Sequence, residues 1–380
     1  MTNIKLAFVV DSLELPAVKN RLIPLIEEGL SRKYQITIIS PTDVDRSLIK
    51  GDVNFVSLKI NTNNTRNHII RALKEAYSSY RLIQLAYSSN YDYLVLSVPS
   101  IFNLLLAKRF DKFLILDIRD IVWEYMNKKN IFQRISKIIF TNIAKRKINL
   151  FNLIICTNNS EYSYLQKFKR INNIEMIIMP NGIGKRQFQD IESIKGLHYI
   201  NKNNIEISYI GNFGLAQKLD TIVIAASKLP FVNFNLVGYG RDYYRIESMV
   251  RKLELKNVTL TKRLQWEEIL NIYKKTDILY AQLNPLFSKA LPSKLFEYLA
   301  TGKFIIYGGQ GTAKDFLKSF NNNKIIEPEK PSQLIKSIKE IISENRFREI
   351  SNYNIDIISS KYIREDTVRQ FYKRLNSINE

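Results

Sequence analysis

Three segments in the second half of the chain carry residues suited to holding an anionic ligand rich in hydroxyls. The first is Gly211-Asn212-Phe213-Gly214-Leu215-Ala216-Gln217-Lys218, placed directly after the apolar run 206–210. A glycine-bearing turn between a parallel strand and a helix brings backbone N–H groups and a helix N-terminus close to an anion. Lys218, at the start of the helix expected next, adds a point charge suited to a diphosphate. The plainer alternative is an ordinary strand–helix connection with a solvated lysine. The second segment, Asn235-Leu236-Val237-Gly238-Tyr239-Gly240, ends a strand in Gly-x-Gly, which serves either a ligand or only a turn that needs positive φ. The third runs from Leu291-Pro292-Ser293-Lys294-Leu295-Phe296-Glu297 through Gly302-Lys303 to Gly308-Gly309-Gln310-Gly311. Ser293 stands where a helix N-cap belongs, Leu295 and Leu299 share a core-facing stripe, and Gly302 is a stop. Glu297 does not lie three residues after Ser293, so a capping box does not account for it. A carboxylate there can accept hydrogen bonds from a vicinal diol such as a ribose.

These segments need elements to hold them, and the hydrophobic pattern supplies two series. Strands are expected over residues 6–10, 35–40, 93–97, 114–117 and 153–157, with an amphipathic helix over 19–30. The alternation restarts after Gly182 with strands over 206–210, 233–237, 277–282 and 304–307. Strands alternating with helices imply parallel sheets covered on both faces, and two such series imply two Rossmann-like domains. Pro180-Asn181-Gly182 marks the boundary. The expected division is 1–182, joined by a C-terminal helix within 361–380, and 183–360. A length of 380 residues exceeds what a single core usually organises.

Composition removes several chemistries. One cysteine, Cys156, forbids an intramolecular disulfide framework and a thiolate cluster. Two histidines, His68 and His198, are too few and too far apart in sequence for a histidine-rich zinc site, and neither has a hydrolase nucleophile motif nearby. No signal peptide or bilayer-length apolar run is visible, so a cytoplasmic protein is expected. The net charge of +21 asks for an anionic partner: nucleic acid, anionic lipid or phosphorylated substrates. About a third of that excess lies in residues 101–150, which hold eleven Lys and Arg against four Asp and Glu. There, Ile131, Ile135, Ile138, Ile139 and Ile143 form an apolar stripe opposed by Arg134 and Lys137. Lys128-Lys129 and Lys145-Arg146-Lys147 flank it. That is the pattern of an interfacial helix on anionic lipid, with an ordinary core-facing helix as its competitor and Phe140 off the stripe. Residues 66–87 offer a second, weaker candidate.

The ordered motifs GNFGLAQKLD, LVGYG, TKRLQWEEI, DILYAQL and LPSKLFEYLATGK resemble the nucleotide-sugar-binding domain of GT-B glycosyltransferases of family 4. The likeness is to bacterial members that build O-antigen, capsule and exopolysaccharide, particularly the subgroup with N-acetylfucosamine transferases. It covers nearly the whole chain and is sharpest over 205–311. The resemblance implies a GT-B fold, two Rossmann-like domains facing across a cleft, and a metal-independent retaining transferase without a cofactor. It implies that Gly211, Asn212, Gly214 and Gly238 lie at the donor, with Lys218 on its diphosphate. Arg263 and Leu264 would border the base, Ser293, Lys294 and Leu295 the sugar-diphosphate side, and Glu297 would hold the ribose hydroxyls.

In the first half, Leu116-Asp117-Ile118-Arg119-Asp120-Ile121-Val122-Trp123 resembles the family's acidic strand-end motif, so Asp120 would face the donor sugar, with Arg119 ordering it or pairing with it to anchor a loop. Asp120, Lys218 and Glu297 are thus the implied catalytic set. Arg21 lies near the first loop, where an acceptor diphosphate would approach; a surface helix arginine is the alternative. Two positions depart from the family pattern: Lys289 stands where the first of two glutamates would fall, and Asn212 where an arginine is usual. The first loop, 11–19, also lacks the family's glycine pair. The last helix, 362–375, would cross back onto the first domain. The implied partners are a nucleotide-sugar donor, a polyprenyl-diphosphate-linked saccharide acceptor and the anionic inner face of the plasma membrane. Two other classes stay open: an inactive glycosyltransferase-like partner subunit, motivated by Lys289, and a basic nucleic-acid-binding protein, which no RNP-type or zinc motif supports.

Overall fold

The computed structural model describes residues 4–10, 16–60, 68–98, 100–124, 131–168, 174–195 and 205–377. Lys128, Lys129, His198 and residues 11–15 of the first loop lie outside the described residues. The chain divides into two compact units, Met1–Asn181 with Arg364–Glu380, and Gly182–Ile363.

The first unit is built on β1 (Lys5–Val9), β2 (Gln35–Ser40), β3 (Val53–Ser57), β4 (Tyr93–Val98), β5 (Phe113–Ile118), β6 (Leu153–Cys156) and β7 (Glu175–Ile178). Its sheet is wholly parallel, in the order β3-β2-β1-β4-β5-β6-β7. The central strand β4 is buried at every position, which an uninterrupted apolar run permits only between two helical layers. One layer contains helix Pro16–Ser31, against which helix Arg364–Ser377 packs through Val368, Phe371, Tyr372 and Leu375. The Tyr372 hydroxyl donates to the Leu25 carbonyl at 2.7 Å, and Gly29 leaves room for that ring. The other layer contains helices His68–Tyr87, Ile101–Leu105 and Ile131–Lys147.

The second unit repeats the plan with β8 (Ile205–Ile210), β9 (Val232–Val237), β10 (Val258–Thr261), β11 (Ile278–Gln282), β12 (Phe304–Gly308) and β13 (Asn323–Ile326). The order is β10-β9-β8-β11-β12-β13, again all parallel. In both sheets the winding direction reverses beside the first strand, at β1/β4 and at β8/β11. Such a reversal opens a crevice at the carboxyl ends of the strands, where the connecting loops part in opposite directions.

Nine of these strands coincide closely with the runs read from the sequence. The four that the hydrophobic pattern did not disclose, β3, β7, β10 and β13, are the outermost strands of the two sheets. Ile178, at the end of β7, is exposed, and β10 has no fully buried position. An outer strand is paired on one side only, so its apolar run is short and broken by polar residues.

Candidate functional site

The carboxyl end of the second sheet gathers the glycine-bearing segments. The loop after β8 is held by its backbone: the Gly211 N–H donates to the Val237 carbonyl at 2.9 Å and the Phe213 N–H to the Tyr239 carbonyl at 3.2 Å. Gly211 (φ +151°) and Gly238 (φ +141°) meet closely here. A side chain on Gly238 would overlap the Gly211 carbonyl, so this glycine is required by the neighbouring backbone. The close backbone approach thus gives Gly238 a structural reason that needs no ligand. The Gly214 N–H donates to the Gln217 side chain at 3.1 Å, and Asn212 is exposed, its carbonyl accepting from the Tyr209 hydroxyl at 2.6 Å.

Lys218 does not open the helix; it precedes Asp220–Ser227 by two residues and has left-handed backbone (φ +45°). A lysine in that region costs about 1–2 kcal/mol, so something must hold it. Gln282, at the end of β11, does so. Its amide nitrogen donates to the Lys218 carbonyl at 2.8 Å, to the Gln217 carbonyl at 3.1 Å and to Thr221 Oγ1 at 3.1 Å. Its oxygen accepts from the Tyr280 hydroxyl and the Glu329 N–H. Gly308, the last residue of β12, leaves the space this side chain occupies. The sequence reading missed Gln282; an amide ending a buried strand was the available signal.

Helix Lys294–Ala300 starts at the same end of the sheet. Ser293 occupies the cap position but makes no side-chain cap hydrogen bond, because its own backbone is already helical. Leu295 is fully buried in the core, which removes it from the ligand-facing set. Glu297 accepts from the Tyr273 hydroxyl at 2.9 Å. Gly302 ends the helix with φ +67°, as its position suggests. The Lys294 Nζ is buried, without a hydrogen-bond partner, 3.7 Å from the centroid of the Tyr209 ring. Burial pulls it down to about pKa 7, while Glu297 acts in the opposite direction. Arg263, just beyond β10, is exposed, and Leu264 packs partly on the core.

The carboxyl end of the first sheet is different. Arg21 is not a surface residue: it is 3% exposed, pairs with Asp117 at 2.8 Å and donates to the Met179 carbonyl. The guanidinium neutralises a carboxylate that β5 carries into the core, so it does not reach outward to an acceptor. The buried Asp–Arg pair is therefore Arg21–Asp117. Burial raises Asp120 to about pKa 6, with Arg119 opposing the rise. Its loop is pinned by Trp123, whose indole donates to the Tyr164 hydroxyl at 3.1 Å, and Tyr164 donates to Glu124 at 2.7 Å. Glu161, unremarked in the sequence, is fully buried. Its Oε2 accepts from the Thr157 N–H and hydroxyl, both at 2.8 Å, and burial raises it to about pKa 8.

On helix Ile131–Lys147 the face that packs inward consists of Phe140 and Ala144, with Ile148 following. Ile131, Ile135, Ile138 and Ile139 are all at least half exposed, so the core-facing competitor is overturned for these four, while Ile143, the fifth residue of the stripe, is partly buried. Arg134, Lys145 and Arg146 are exposed. Lys137 is not an outward cation: its ammonium donates to the Glu124 carbonyl at 2.7 Å. Helix His68–Tyr87, on the same face of the first sheet, exposes Ile70, Leu73, Tyr77 and Tyr80 at helical spacing. Among the described residues no helix is long and apolar enough to cross a membrane, and no group of three His, Cys, Asp or Glu converges as a metal site would require.

Comparison with known proteins places this geometry. Residues 190–356 match the family described as Glycosyl transferases group 1. That match lies within the second unit. An uncharacterized glycosyltransferase of Methanocaldococcus jannaschii is 27% identical over 235 residues, 59% of this chain and 66% of that protein. The putative colanic acid biosynthesis glycosyl transferase WcaI of Escherichia coli is 24% identical over 208 residues, 52% and 50% of the two chains. The chain thus spans half to two thirds of the length of these curated relatives. Sucrose-phosphate synthase from Thermosynechococcus elongatus superposes with a TM-score of 0.77 at 14% identity, covering 99% of both chains. Anabaena HepE, solved in complex with UDP-glucose, gives 0.72 at 15% identity, covering 99% of this chain and 100% of its own. The fold is GT-B, and the group 1 domain coincides with the unit that holds the glycine loops, Lys218, Lys294 and Glu297.

Proposed function

We propose that the protein is a retaining glycosyltransferase that moves a sugar from a nucleotide-sugar donor to a lipid-diphosphate-linked or glycan acceptor in bacterial surface-polysaccharide assembly. One observation carries the reading: within the group 1 domain, a glycine loop, two lysines and Glu297 assemble at the winding reversal of the second sheet. HepE, of the same fold, holds UDP-glucose. In this reading Glu297 accepts the ribose hydroxyls, with Tyr273 fixing its carboxylate. Gln282 locks Lys218 so that its ammonium meets the diphosphate, and the loop amides add neutral donors. Together they stabilise the charge that grows on the leaving diphosphate, without a metal. The N-acetylfucosamine transferase-like subgroup remains the nearest specific assignment, on the motifs quoted above.

The exposed isoleucines of helix Ile131–Lys147, bordered by Arg134, Lys145 and Arg146, suit the headgroup boundary of an anionic inner membrane, where a lipid-linked acceptor resides. Neutralising Arg134, Lys145 and Arg146 and replacing Ile135 and Ile138 by Gln should release the protein from phosphatidylglycerol vesicles; unchanged sedimentation removes the membrane reading. The donor reading is tested by thermal shift against UDP-, GDP-, dTDP- and CMP-sugars, followed by transfer assays. One of these donors should raise the melting temperature, and E297Q should abolish most of the rise. Transfer that survives loss of both Glu297 and Lys218 unaltered puts the site elsewhere.

A further inference from the structure

A buried ammonium normally collects two or three oxygen acceptors, since stripping its water shell leaves a charge that needs them. Lys294 has none: no carbonyl or carboxylate accepts from its Nζ, which is sealed from solvent. It lies against the face of Tyr209, 3.7 Å from the centroid. That contact offsets only part of the lost hydration. The Tyr209 hydroxyl is turned away to the Asn212 carbonyl and does not accept from the lysine. Above the amine sits Gly211, whose missing side chain is what leaves room for Nζ. The lysine's own helix brings Glu297, whose charge alone favours protonation, and Tyr298, whose hydroxyl is tied to the backbone of Ile210. Strand β8 brings Tyr209, and Gly211–Gly214 bring no charge. The Glu297 carboxylate is turned to Tyr273 on helix Trp266–Lys275.

We propose that Lys294 is a proton-coupled anion anchor: its amine is neutral in the ligand-free protein and takes one proton from solvent when a nucleoside diphosphate settles on the Gly211–Gly214 loop. This rests on the reading of that loop as the diphosphate site. The balance is simple, since R–NH2 and a buffer proton give R–NH3+, whose charge then pairs with a phosphate oxygen. The depressed affinity of this lysine for its proton agrees with the geometry. Lys218, at the end of the same loop, would meet the diphosphate as well, and Lys294 would add a charge that appears only with ligand. Donor affinity should consequently fall as pH rises above neutrality, because the proton must be drawn from a scarcer pool.

Calorimetry of UDP, GDP and dTDP binding at pH 8, in buffers of different ionisation enthalpy, measures the protons taken up. The terminal phosphate, with a second pKa of about 6, is fully ionised at that pH. The expected uptake approaches one proton per bound nucleotide, vanishes in K294M, and K294M binds at least tenfold more weakly. Binding with no proton uptake by the unaltered protein overturns the proposal and leaves the diphosphate site standing. Failure of all three nucleotides to bind overturns both. A second measurement needs no ligand: among the 13C-labelled lysine ε-carbons of the empty protein, one should titrate near neutrality and be missing in K294M. Ordinary titration of every lysine overturns the proposal whatever the calorimetry gives.

Discussion

The two sheets are wound alike, yet their carboxyl ends differ in what holds the loops that open there. In the first unit buried ionisable groups find partners within the unit: Arg21 pairs with Asp117, and one oxygen of Glu161 is tied to Thr157, while Arg21 Nε, Asp117 Oδ2 and Glu161 Oε1 make no hydrogen bond. In the second, Arg245 pairs with Asp220 and Asp242 where two helices begin, but the glycine loop itself is held by neutral groups. Gln282 fixes the loop, tyrosine hydroxyls fix the backbone and Glu297, and Lys294 is left without an acceptor. A parallel fold therefore prescribes where a crevice opens but not what it does. A charge paired in the core belongs to the scaffold, whereas a buried amine left without an acceptor is where, in the proposal above, a ligand brings the charge.

Removing one member of the buried pair should show the largest effect. R21M leaves Asp117 charged and alone, and is expected to cost about 3–5 kcal/mol in urea denaturation. R21M with D117L should recover most of it. If R21M is as stable as the unaltered protein, the first sheet's end does not depend on internal pairing.

Glu161 gives a smaller, pH-dependent effect. It keeps its proton to about pH 8 when folded, while the unfolded chain releases it near the ordinary value of 4.5. The folded state then binds more protons between those limits, so its stability contribution falls as pH rises from 4.5 to 8. E161Q should flatten that slope and melt higher at pH 8. An unchanged slope would mean that the carboxyl is ionised and partnered.

At the other end of the chain, E297Q should weaken donor binding about tenfold to a hundredfold, the worth of one charge-assisted hydrogen bond, with little change in melting temperature. A large loss of stability instead would make Glu297 a structural partner of Tyr273, and the contrast between the two sheet ends would collapse. The smallest effect is expected from K218G. Glycine relieves the left-handed backbone at φ +45°, giving a gain of about 1 kcal/mol or less while donor affinity drops. Unaltered affinity would show that Gln282 holds the loop for packing alone.

Legibility followed burial. Strands β4, β5, β8, β9, β11 and β12 lie inside their sheets, so long apolar runs announced them. The outer strands β3, β7, β10 and β13 had no such run. Glycines that permit close approach were visible as glycines, but not which neighbour required them: Gly238 answers to the Gly211 carbonyl and Gly308 to Gln282. Periodicity marked the isoleucine stripe of helix Ile131–Lys147 without saying which way it faced. Phe140, which broke the stripe, turned out to mark the packed side.

The sequence by itself determined the alternation of strands and helices, the restart of that pattern after Gly182 and the order of the glycine motifs, because each depends on residues near one another in the chain. Only the tertiary structure decided which charges are paired, since those partners lie far apart: Arg21 meets Asp117 across 96 positions. The same holds for Lys294, set against Tyr209 from another segment of the chain. An ammonium's state depends on the water and oxygen atoms within a few ångströms, and that neighbourhood exists only once the sheet has closed around it.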